Sequence, residues 1–244
     1  HDKVAPETLE ALYDWCIKVK KTPVIVKDGP GFLVNRILMP FMNEAGFLLA
    51  EGVAMKDIDD ACLNFGMPMG PCHLIDEVGI DVGEKVAKII HDGLGDRVKS
   101  SPISAKLTEK NFLGKKNQKG FYLYDKRGKV EGVNEEVQAM LPKTKKKMDE
   151  TEIQMRIFLP MINEAATVLA DGIVDSAADV DLGLIFGIGF PPFRGGLLKY
   201  ADSEGLDRLV EAMEKRAESV DKDRYTPCAY LKDLVANKKK FYDI

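Results

Sequence analysis

The chain has 244 residues, a formal net charge of −4 at pH 7, 45% hydrophobic residues and 30% charged residues. This length accommodates one large domain or two ordinary ones, and the apolar fraction is sufficient for a sizeable core. The weak negative charge argues against nucleic-acid binding, which usually requires a strongly basic face. No apolar run approaches the ~20 residues needed to cross a bilayer, so we expect no transmembrane segment.

The cysteines give no sign of a metal site or a disulfide framework. Cys16, Cys62, Cys72 and Cys228 form neither a CxxC motif nor a Cys/His ligand spacing. We therefore expect buried or free thiols of a reducing compartment. Cys72 and His73 are adjacent, but neighbours in sequence are rarely partners in space, so we expect neither a ligand pair nor a nucleophile there.

The first predicted elements are a helix and a strand. Apolar residues recur at helical spacing over 6–20, and Pro6 suits the first turn of that helix. The β-branched segment 22–27 has the composition of a buried strand. One helix and one strand cannot form a sheet alone, so we expect them to complete a sheet whose other strands precede this chain.

The segment 28–36, Asp-Gly-Pro-Gly-Phe-Leu-Val-Asn-Arg, joins this strand to a second helix. Gly29 and Gly31 allow backbone angles that other residues resist, and Pro30 fixes φ, so we expect a turn. Asn35 then falls about one turn into the helix, near the strand end, where ligands collect in parallel α/β sheets. Two interpretations stay open: the amide binds a ligand, or it satisfies backbone groups near the turn.

Helical periodicity predicts further helices over about 31–51 and 53–65, and one or two over 74–93 that are interrupted near Val78. Pro40 lies inside the first of these and removes a backbone hydrogen bond, which predicts a kink. The second helix is broken by the Gly- and Pro-rich residues that follow it.

A basic turn and an aromatic segment follow over 112–124. Lys115, Lys116 and Lys119 either bind a phosphate or, more usually for such sequences, form a solvated turn. Residues 125–150 are polar and rich in Lys and Glu. We expect them to be a linker between two helical units, partly ordered at best.

The second half of the chain repeats the first at an offset of 120 residues. The duplicated Glu44 and Glu164 are either catalytic carboxylates or, as we favour, polar residues that fix how two like helical units pack. Asn35 is matched by Met155, which weakly supports a site near the strand. The matching pairs are Arg36/Arg156, Pro40/Pro160, 43–45/163–165, 50–52/170–172 and Asp59/Asp179.

The segment 186–196 alternates aromatic residues with Gly and Pro, and it is longer than its counterpart 65–70. Such a segment forms a rigid, apolar surface that other groups can approach closely. It lines a groove for an acyl chain or a flat cofactor, or it is the packing seam between the units; the sequence favours neither.

The pattern Asp-x-Pro-Gly-Phe-x-x-Asn-Arg over 28–36, followed by a helix that carries Pro40, resembles the signature of the 3-hydroxyacyl-CoA dehydrogenases of fatty-acid β-oxidation. The segments 65–71, 114–124 and 186–196 are similar to the C-terminal part of that family. Two successive repeats resemble its large multifunctional members. The segments 225–228 and 240–242 resemble the mitochondrial members, whereas Asn35 resembles the bacterial and short-chain members.

This resemblance implies a mostly α fold with two tandem helical domains of the 6-phosphogluconate-dehydrogenase-like type. They would be preceded by the last helix and strand of a truncated Rossmann domain. The implied boundaries are 1–28 for the remnant of the NAD-binding domain, 29–124 for the first helical domain, 125–150 for a linker and 151–244 for the second.

In that family, a His supported by a Glu accepts the proton of the 3-hydroxyl while hydride passes to NAD. The resemblance assigns Asn35 a catalytic and substrate-binding role, as a hydrogen-bond partner near the reacting oxygen. It also places Phe186 near substrate, at a position that is often Tyr. The expected ligands are 3-hydroxyacyl-CoA and 3-ketoacyl-CoA, with no metal.

The chain departs from the family pattern because it has no GxGxxG motif and no catalytic His–Glu pair. His1, His73 and His91 lie outside the family's catalytic context. We therefore expect NAD to be bound mainly by an upstream domain, and this chain alone to be inactive. The alternative is a helical interaction module for homodimer or thiolase β-subunit assembly. The expected compartment is the mitochondrial matrix if the protein is eukaryotic and the cytoplasm if it is bacterial.

Overall fold

The computed structural model describes residues 3–243, so His1 and the outermost ends of the predicted segments 1–28 and 151–244 lie outside the described residues. The described part is mostly helical and contains one two-stranded antiparallel sheet. The helices are α1 (Pro6–Lys18), α2 (Val34–Ala50), α3 (Met55–Phe65), α4 (Pro71–Val78), α5 (Ile80–Leu94), α6 (Ile103–Glu109), α7 (Glu135–Gln138), α8 (Glu150–Ala170), α9 (Ala177–Ile188), α10 (Leu197–Glu204), α11 (Leu206–Ser219), α12 (Lys222–Tyr225) and α13 (Ala229–Ala236), and the strands are β1 (Tyr122–Tyr124) and β2 (Val130–Val133).

The segment 22–27 is extended and forms no strand pair within the described residues, so the predicted strand, which requires partner strands from another part of the protein, stays a prediction. A strand is defined by hydrogen bonds to a neighbouring strand, and residues 3–243 supply none for this segment. The backbone N–H of Lys27 instead donates to the carbonyl of Ile173, 2.8 Å away in the second half of the chain. Helix α1 precedes it as predicted but contains no buried residue.

Helix α2 begins at Val34, three residues later than predicted, because the turn continues through Gly31 and Phe32. Both residues have positive φ, +76° and +51°, which is incompatible with a right-handed helix. Pro40 lies buried inside α2, as predicted. Helices α4 and α5 confirm the predicted interruption, which occurs at Gly79 with φ +94°.

Residues 125–150 are more regular than the expected linker. Strand β2 pairs with β1, and Tyr122 is aligned with Val133. Asn134 is buried, donates to the Gly120 carbonyl at 2.8 Å and accepts the N–H of Glu136 at 3.1 Å, capping α7. Residues 142–147 are exposed, as expected for the lysine-rich part. The sequence missed this order because the hydrogen-bonding partners lie across a turn and not within a periodic pattern.

Helices α2 and α8 pack against each other and exchange buried ion pairs. Arg36 of α2 donates to Glu164 of α8 at 2.6 Å, and Arg156 of α8 donates to Glu44 of α2 at 3.2 Å. All four side chains are at most 4% exposed. Since each residue and its counterpart are 120 positions apart, the two units bind each other through the same contact used twice.

Two further arginines bind the glutamates of this exchange. Glu164 also accepts from Arg97 at 3.1 Å, and Glu44 also accepts from Arg224. A buried charge is tolerated when it is paired and hydrogen-bonded, as both glutamates are. This arrangement supports the packing interpretation of the duplicated carboxylates. Each arginine of the exchange also reaches one further carboxylate of the opposite unit, Asp171 for Arg36 and Glu51 for Arg156.

The prediction that Asp179 is the counterpart of Asp59 is wrong. Asp59 is buried and accepts a hydrogen bond from Tyr122 at 2.7 Å, whereas Asp179 is only half-buried and its backbone N–H donates to Ser176 at the start of α9. Asp181 occupies the equivalent environment, buried and bonded by Tyr242 at 2.6 Å. The register shifts because the connection from α8 to α9 is two residues longer than that from α2 to α3.

A second buried carboxylate secures the end of each unit. Asp76 accepts the backbone N–H groups of residues 121–122 at 2.9 and 2.8 Å, and Tyr124 also donates to it at 3.0 Å. Asp202 accepts the N–H groups of residues 241–242 at 2.9 and 3.2 Å. Burial raises the pKa of Asp76 to about 6.

We expect Glu164→Ala to lower the free energy of unfolding by about 3–5 kcal/mol, because it leaves Arg36 and Arg97 without their buried partner. Urea denaturation measures this change. Lys56→Ala is the matched control, since it breaks the exposed Lys56–Asp60 pair and should leave the unfolding free energy unchanged within error. Equal effects of the two substitutions would contradict the structural role of the exchange.

We expect Asp76 to make stability depend on pH. Its pKa of about 6 lies above the ordinary value of 3.8, so the folded state binds this proton more tightly than the unfolded state does. The contribution is fully present below about pH 4 and is lost as the pH rises through 6, by up to about 3 kcal/mol. Urea denaturation between pH 4 and pH 7 should therefore show a decline that Asp76→Asn reduces; parallel profiles would refute it.

Candidate functional site

The turn before α2 holds its shape through close backbone contacts. The Phe32 N–H donates to the Gly29 carbonyl at 2.9 Å, and the Arg36 N–H donates to the Gly31 carbonyl at 3.2 Å. A Cβ atom at residue 31 would lie 2.8 Å from the Ile90 side chain and 2.9 Å from the Arg36 nitrogen. Glycine is therefore required there both by its positive φ and by space.

Asn35 lies in the first turn of α2 with an exposed side chain. Throughout residues 3–243, no protein group forms a hydrogen bond with its amide. The interpretation that Asn35 satisfies backbone groups near the turn therefore has no support in the structure. The side chain keeps both its donor and its acceptor capacity for another molecule.

Asn35 and Phe186, the two predicted site residues, line the same open cavity of about 350 Å³. Its walls come from both halves of the chain and from the segment that precedes them. Val24 and Val26 of the extended segment form one side, and Leu182 of α9 contributes to the other. The cavity therefore exists because the extended segment, α2 and α9 meet at one place.

Close packing of α9 against the start of α2 positions this wall. A Cβ atom at Gly183 would lie 2.7 Å from the Leu33 side chain, and one at Gly187 would lie 3.0 Å from that of Val34. These two glycines, four residues apart on one face of α9, let the second unit approach the turn. Sequence reasoning missed them, although their Gly-x-x-x-Gly spacing was the available signal.

The aromatic segment 186–196 contributes both to the cavity and to the packing between the units. Phe186 is 67% exposed and lines the cavity. Phe190 is fully buried and packs edge-on against Phe65, with ring centroids 5.9 Å apart. Arg194 stacks over the same Phe65 ring at 3.9 Å. One residue therefore belongs to a groove, and its neighbours form the seam between the units.

The cavity can bind and orient a ligand, but it does not supply an acid or a base. Its polar side chains are those of Thr22 and Asn35, and its other described lining residues are apolar or glycine. An amide can donate to a carbonyl oxygen or accept from a hydroxyl. The apolar wall suits a hydrocarbon group beside that oxygen.

The other candidates from the sequence have structural partners. Burial raises the pKa of the Cys72 thiol well above its usual value, so the thiol stays protonated and unreactive. Lys115 pairs with Glu77 and Lys119 with Glu136, each at 2.7 Å. Lys116 likewise pairs with a carboxylate, that of Asp81. These contacts favour the solvated-turn interpretation over phosphate binding.

The described residues contain neither a metal-binding cluster nor a membrane-spanning helix. Over 3–243, no cluster of three or more His, Cys, Asp or Glu side chains is arranged to hold a metal ion. None of the helices in the same range has both the length and the apolar character needed to cross a membrane.

Comparison with solved structures identifies the same architecture. The crystal structure of 3-hydroxybutyryl-CoA dehydrogenase from Escherichia coli K12 aligns with 96% of this chain and 66% of its own, at a TM-score of 0.78 and 23% identity. The dehydrogenase part of multifunctional enzyme 1 from C. elegans aligns with 93% of this chain and 53% of its own, at a TM-score of 0.68 and 25% identity. At 23% identity, the similarity to the Escherichia coli structure shows only that the two proteins share a fold.

Similar sequences occur among bacterial proteins. A fatty acid oxidation complex subunit alpha from Shewanella loihica is 44% identical over 244 residues, which is 100% of this chain and 34% of that protein. A protein of the same name from Idiomarina loihiensis is 45% identical over 245 residues, covering 99% of this chain and 34% of its own length. The chain thus spans about a third of these relatives.

A family model described as 3-hydroxyacyl-CoA dehydrogenase, C-terminal domain, matches residues 31–124 and again residues 153–241. The two matches fall on the two halves of the internal repeat, and they confirm the resemblance carried by residues 28–36. This chain belongs to the family of the C-terminal domain of 3-hydroxyacyl-CoA dehydrogenases.

Proposed function

We propose that this chain forms the acyl-CoA side of the cleft in an NAD-dependent L-3-hydroxyacyl-CoA dehydrogenase of fatty-acid β-oxidation. The observation that carries the proposal is the shared cavity of Asn35 and Phe186, which lie 151 positions apart in the sequence. Relatives named fatty acid oxidation complex subunit alpha support the substrate class. The matches at 31–124 and 153–241 support helical domains over 29–124 and 151–244.

Asn35 has the role of a hydrogen-bond partner for the substrate's 3-oxygen. Its amide N–H donates to the ketone of a 3-ketoacyl-CoA, and its amide oxygen accepts from the hydroxyl of a 3-hydroxyacyl-CoA. The Phe186 ring supplies an apolar wall for the chain beside that oxygen. Because the side chain has no protein partner in the described residues, no internal bond has to break for it to bind.

The residues of this chain do not fit a dinucleotide site. A glycine-rich turn between a paired strand and a helix holds the pyrophosphate in such sites, and the extended segment 22–27 has no strand partner within 3–243. We therefore propose that other parts of the protein bind NAD and supply the general base. Leu12 and Trp15 of α1, at 54% and 58% exposure, provide an apolar surface for such a domain.

A second candidate function is assembly with another subunit. Phe193 is 75% exposed and Ile89 is 63% exposed, and large apolar side chains at such exposure favour a protein contact. A second copy of the protein or a thiolase β subunit are the proposed partners. The bacterial relatives favour the cytoplasm over the mitochondrial matrix as the compartment.

We expect Asn35→Ala to weaken binding of acetoacetyl-CoA to the full-length protein by about 3- to 10-fold, which corresponds to one hydrogen bond of ~0.5–1.5 kcal/mol. Isothermal calorimetry measures it. The matched control is Asn64→Ala, because Asn64 is an exposed helical asparagine of α3 that bonds Glu150 at 2.8 Å, away from the cavity. Equal affinity of the Asn35 variant and the unaltered protein would refute the proposed role.

We also expect Asn35→Ala to leave the free energy of unfolding within about 0.5 kcal/mol of the unaltered value, since the side chain is exposed and unbonded in the described structure. Urea denaturation checks this, and a larger loss would restore the structural interpretation of Asn35.

The 244-residue chain alone should produce no NADH from 3-hydroxybutyryl-CoA. Measurable NADH formation would show that it contains the whole catalytic apparatus.

A further inference from the structure

A second and larger cavity lies within the first unit, between α2, α5 and residues 100–105. Its volume is about 570 Å³, and it shares no lining residue with the cavity of Asn35. Protein interiors are otherwise close-packed, with few voids larger than a water molecule. This volume lies within the range of roughly 300–1,000 Å³ that is typical of small-molecule sites.

Gly83, in the first turn of α5, lines this cavity and fills none of it with a side chain. A Cβ atom built there meets no heavy atom within 4 Å, so neither a close approach nor an unusual φ requires glycine at this position. Glycine inside a helix is disfavoured because it loses more backbone entropy than other residues. A glycine that the fold does not need, facing an open space, is therefore an independent indication that the space is used.

The second unit provides an internal comparison for α5. Asp76 and Asp202 make equivalent bonds, and 126 positions separate them. At the same offset, Gly79 and Gly205 precede α5 and α11 with nearly equal φ/ψ angles, 94°/122° and 90°/112°. Helices α5 and α11 are therefore equivalent elements in a known register.

In this register the second unit fills the space that the first leaves open. Gly83 corresponds to Leu209, and Ala87 corresponds to Met213. Leu209 is 1% exposed and Met213 is fully buried, so both are core residues of the second unit. The same framework is therefore stable with large side chains at these two positions, where the first unit has glycine and alanine.

The lining of the cavity defines the ligand's chemistry. Met39 and Met42 contribute flexible, unbranched side chains that adapt to the shape of a guest. At the rim, Lys88 pairs with Asp92 at 2.8 Å and Lys99 with Asp221 at 2.7 Å, so these ammonium groups are already matched by carboxylates. Glu84 adds a negative charge to the same rim. Polar side chains, among them Asn43, His91 and Ser104, line part of the cavity as well. Because its ammonium groups are already paired, the cavity suits an apolar chain better than an anionic group.

Asn35 and part of the cavity lining lie on the same face of α2. Asn35, Met39, Met42 and Gly46 lie on one face of this helix, at spacings of four, seven and eleven residues from Asn35. This face is about 16 Å long, at 1.5 Å per residue. Asn35 marks its first turn, and the other three residues line the cavity.

We propose that this cavity binds the end of an unbranched apolar chain. The chain comes from a free fatty acid or from the long acyl group of a substrate, and the second source rests on the function proposed above. In both cases the polar head stays outside the cavity, and Gly83 and Ala87 leave room for the chain.

Displacement of a fluorescent unbranched fatty acid by palmitate tests the proposal on the full-length protein. Gly83→Leu should weaken palmitate binding at least tenfold, because it introduces the residue that fills the second unit. Ala87→Met is a second variant that fills the same space. Lys85→Leu is the matched control, since it adds the same side chain to an exposed position of α5 outside the cavity. The affinity of this variant for palmitate should stay within twofold of that of the unaltered protein. Circular dichroism should show melting temperatures of the filled variants no lower than that of the control.

The source of the chain follows from kinetics with 3-hydroxyacyl-CoA substrates of 4 and 16 carbons. If Gly83→Leu raises the KM at least fivefold for the 16-carbon substrate but not for the 4-carbon substrate, the chain in the cavity is the substrate's acyl group. Unchanged KM values with lost palmitate binding identify a free fatty acid. Palmitate binding and KM values that are both insensitive to Gly83→Leu and Ala87→Met would overturn the proposal. Absence of turnover with either substrate would count against the proposed function, and the palmitate measurement would still decide the cavity.

Discussion

A reciprocal contact between α2 and α8 joins the two units. Arg36 and Glu164 form one half of it, and Arg156 and Glu44 form the other. Both pairs are buried between the two units, where removing one partner leaves a buried charge with fewer partners than it has in the intact structure. The two pairs lie at the crossing of the two helices and hold the units together beside the apolar core that they share.

The candidate site is a consequence of this crossing. Once α2 and α8 are fixed, α9 lies across the first turn of α2, and Gly183 and Gly187 permit backbone-close contact there. Phe186 then shares a cavity with Asn35 although neither residue touches the Arg–Glu exchange. The second unit therefore contributes to a site whose polar group belongs to the first unit, and Met155 shows that the duplicated position need not keep the amide.

Sequence reasoning succeeded where local pattern determines structure. The turn at 28–36, Pro40 within α2, the break at Gly79 and the repeat are all features of periodicity or of backbone chemistry. It failed where a partner far along the chain decides the outcome. The counterpart of Asp59 became clear only from its bond with Tyr122 and from the matching bond of Asp181 with Tyr242. For the candidate site, Asn35 and Phe186 were predicted separately, and that they line one cavity could be seen only from the fold.

Carrying both halves of the α2–α8 contact on one chain has a further consequence for how the molecule responds to dilution. Two separate copies of such a unit would associate in proportion to their concentration, whereas a covalent connection gives the second unit a constant effective concentration near the first. The wall formed by Phe186 therefore stays beside Asn35 at any protein concentration. It also means that the two units can diverge independently, one keeping an open interior and an amide, the other a filled interior and the aromatic wall.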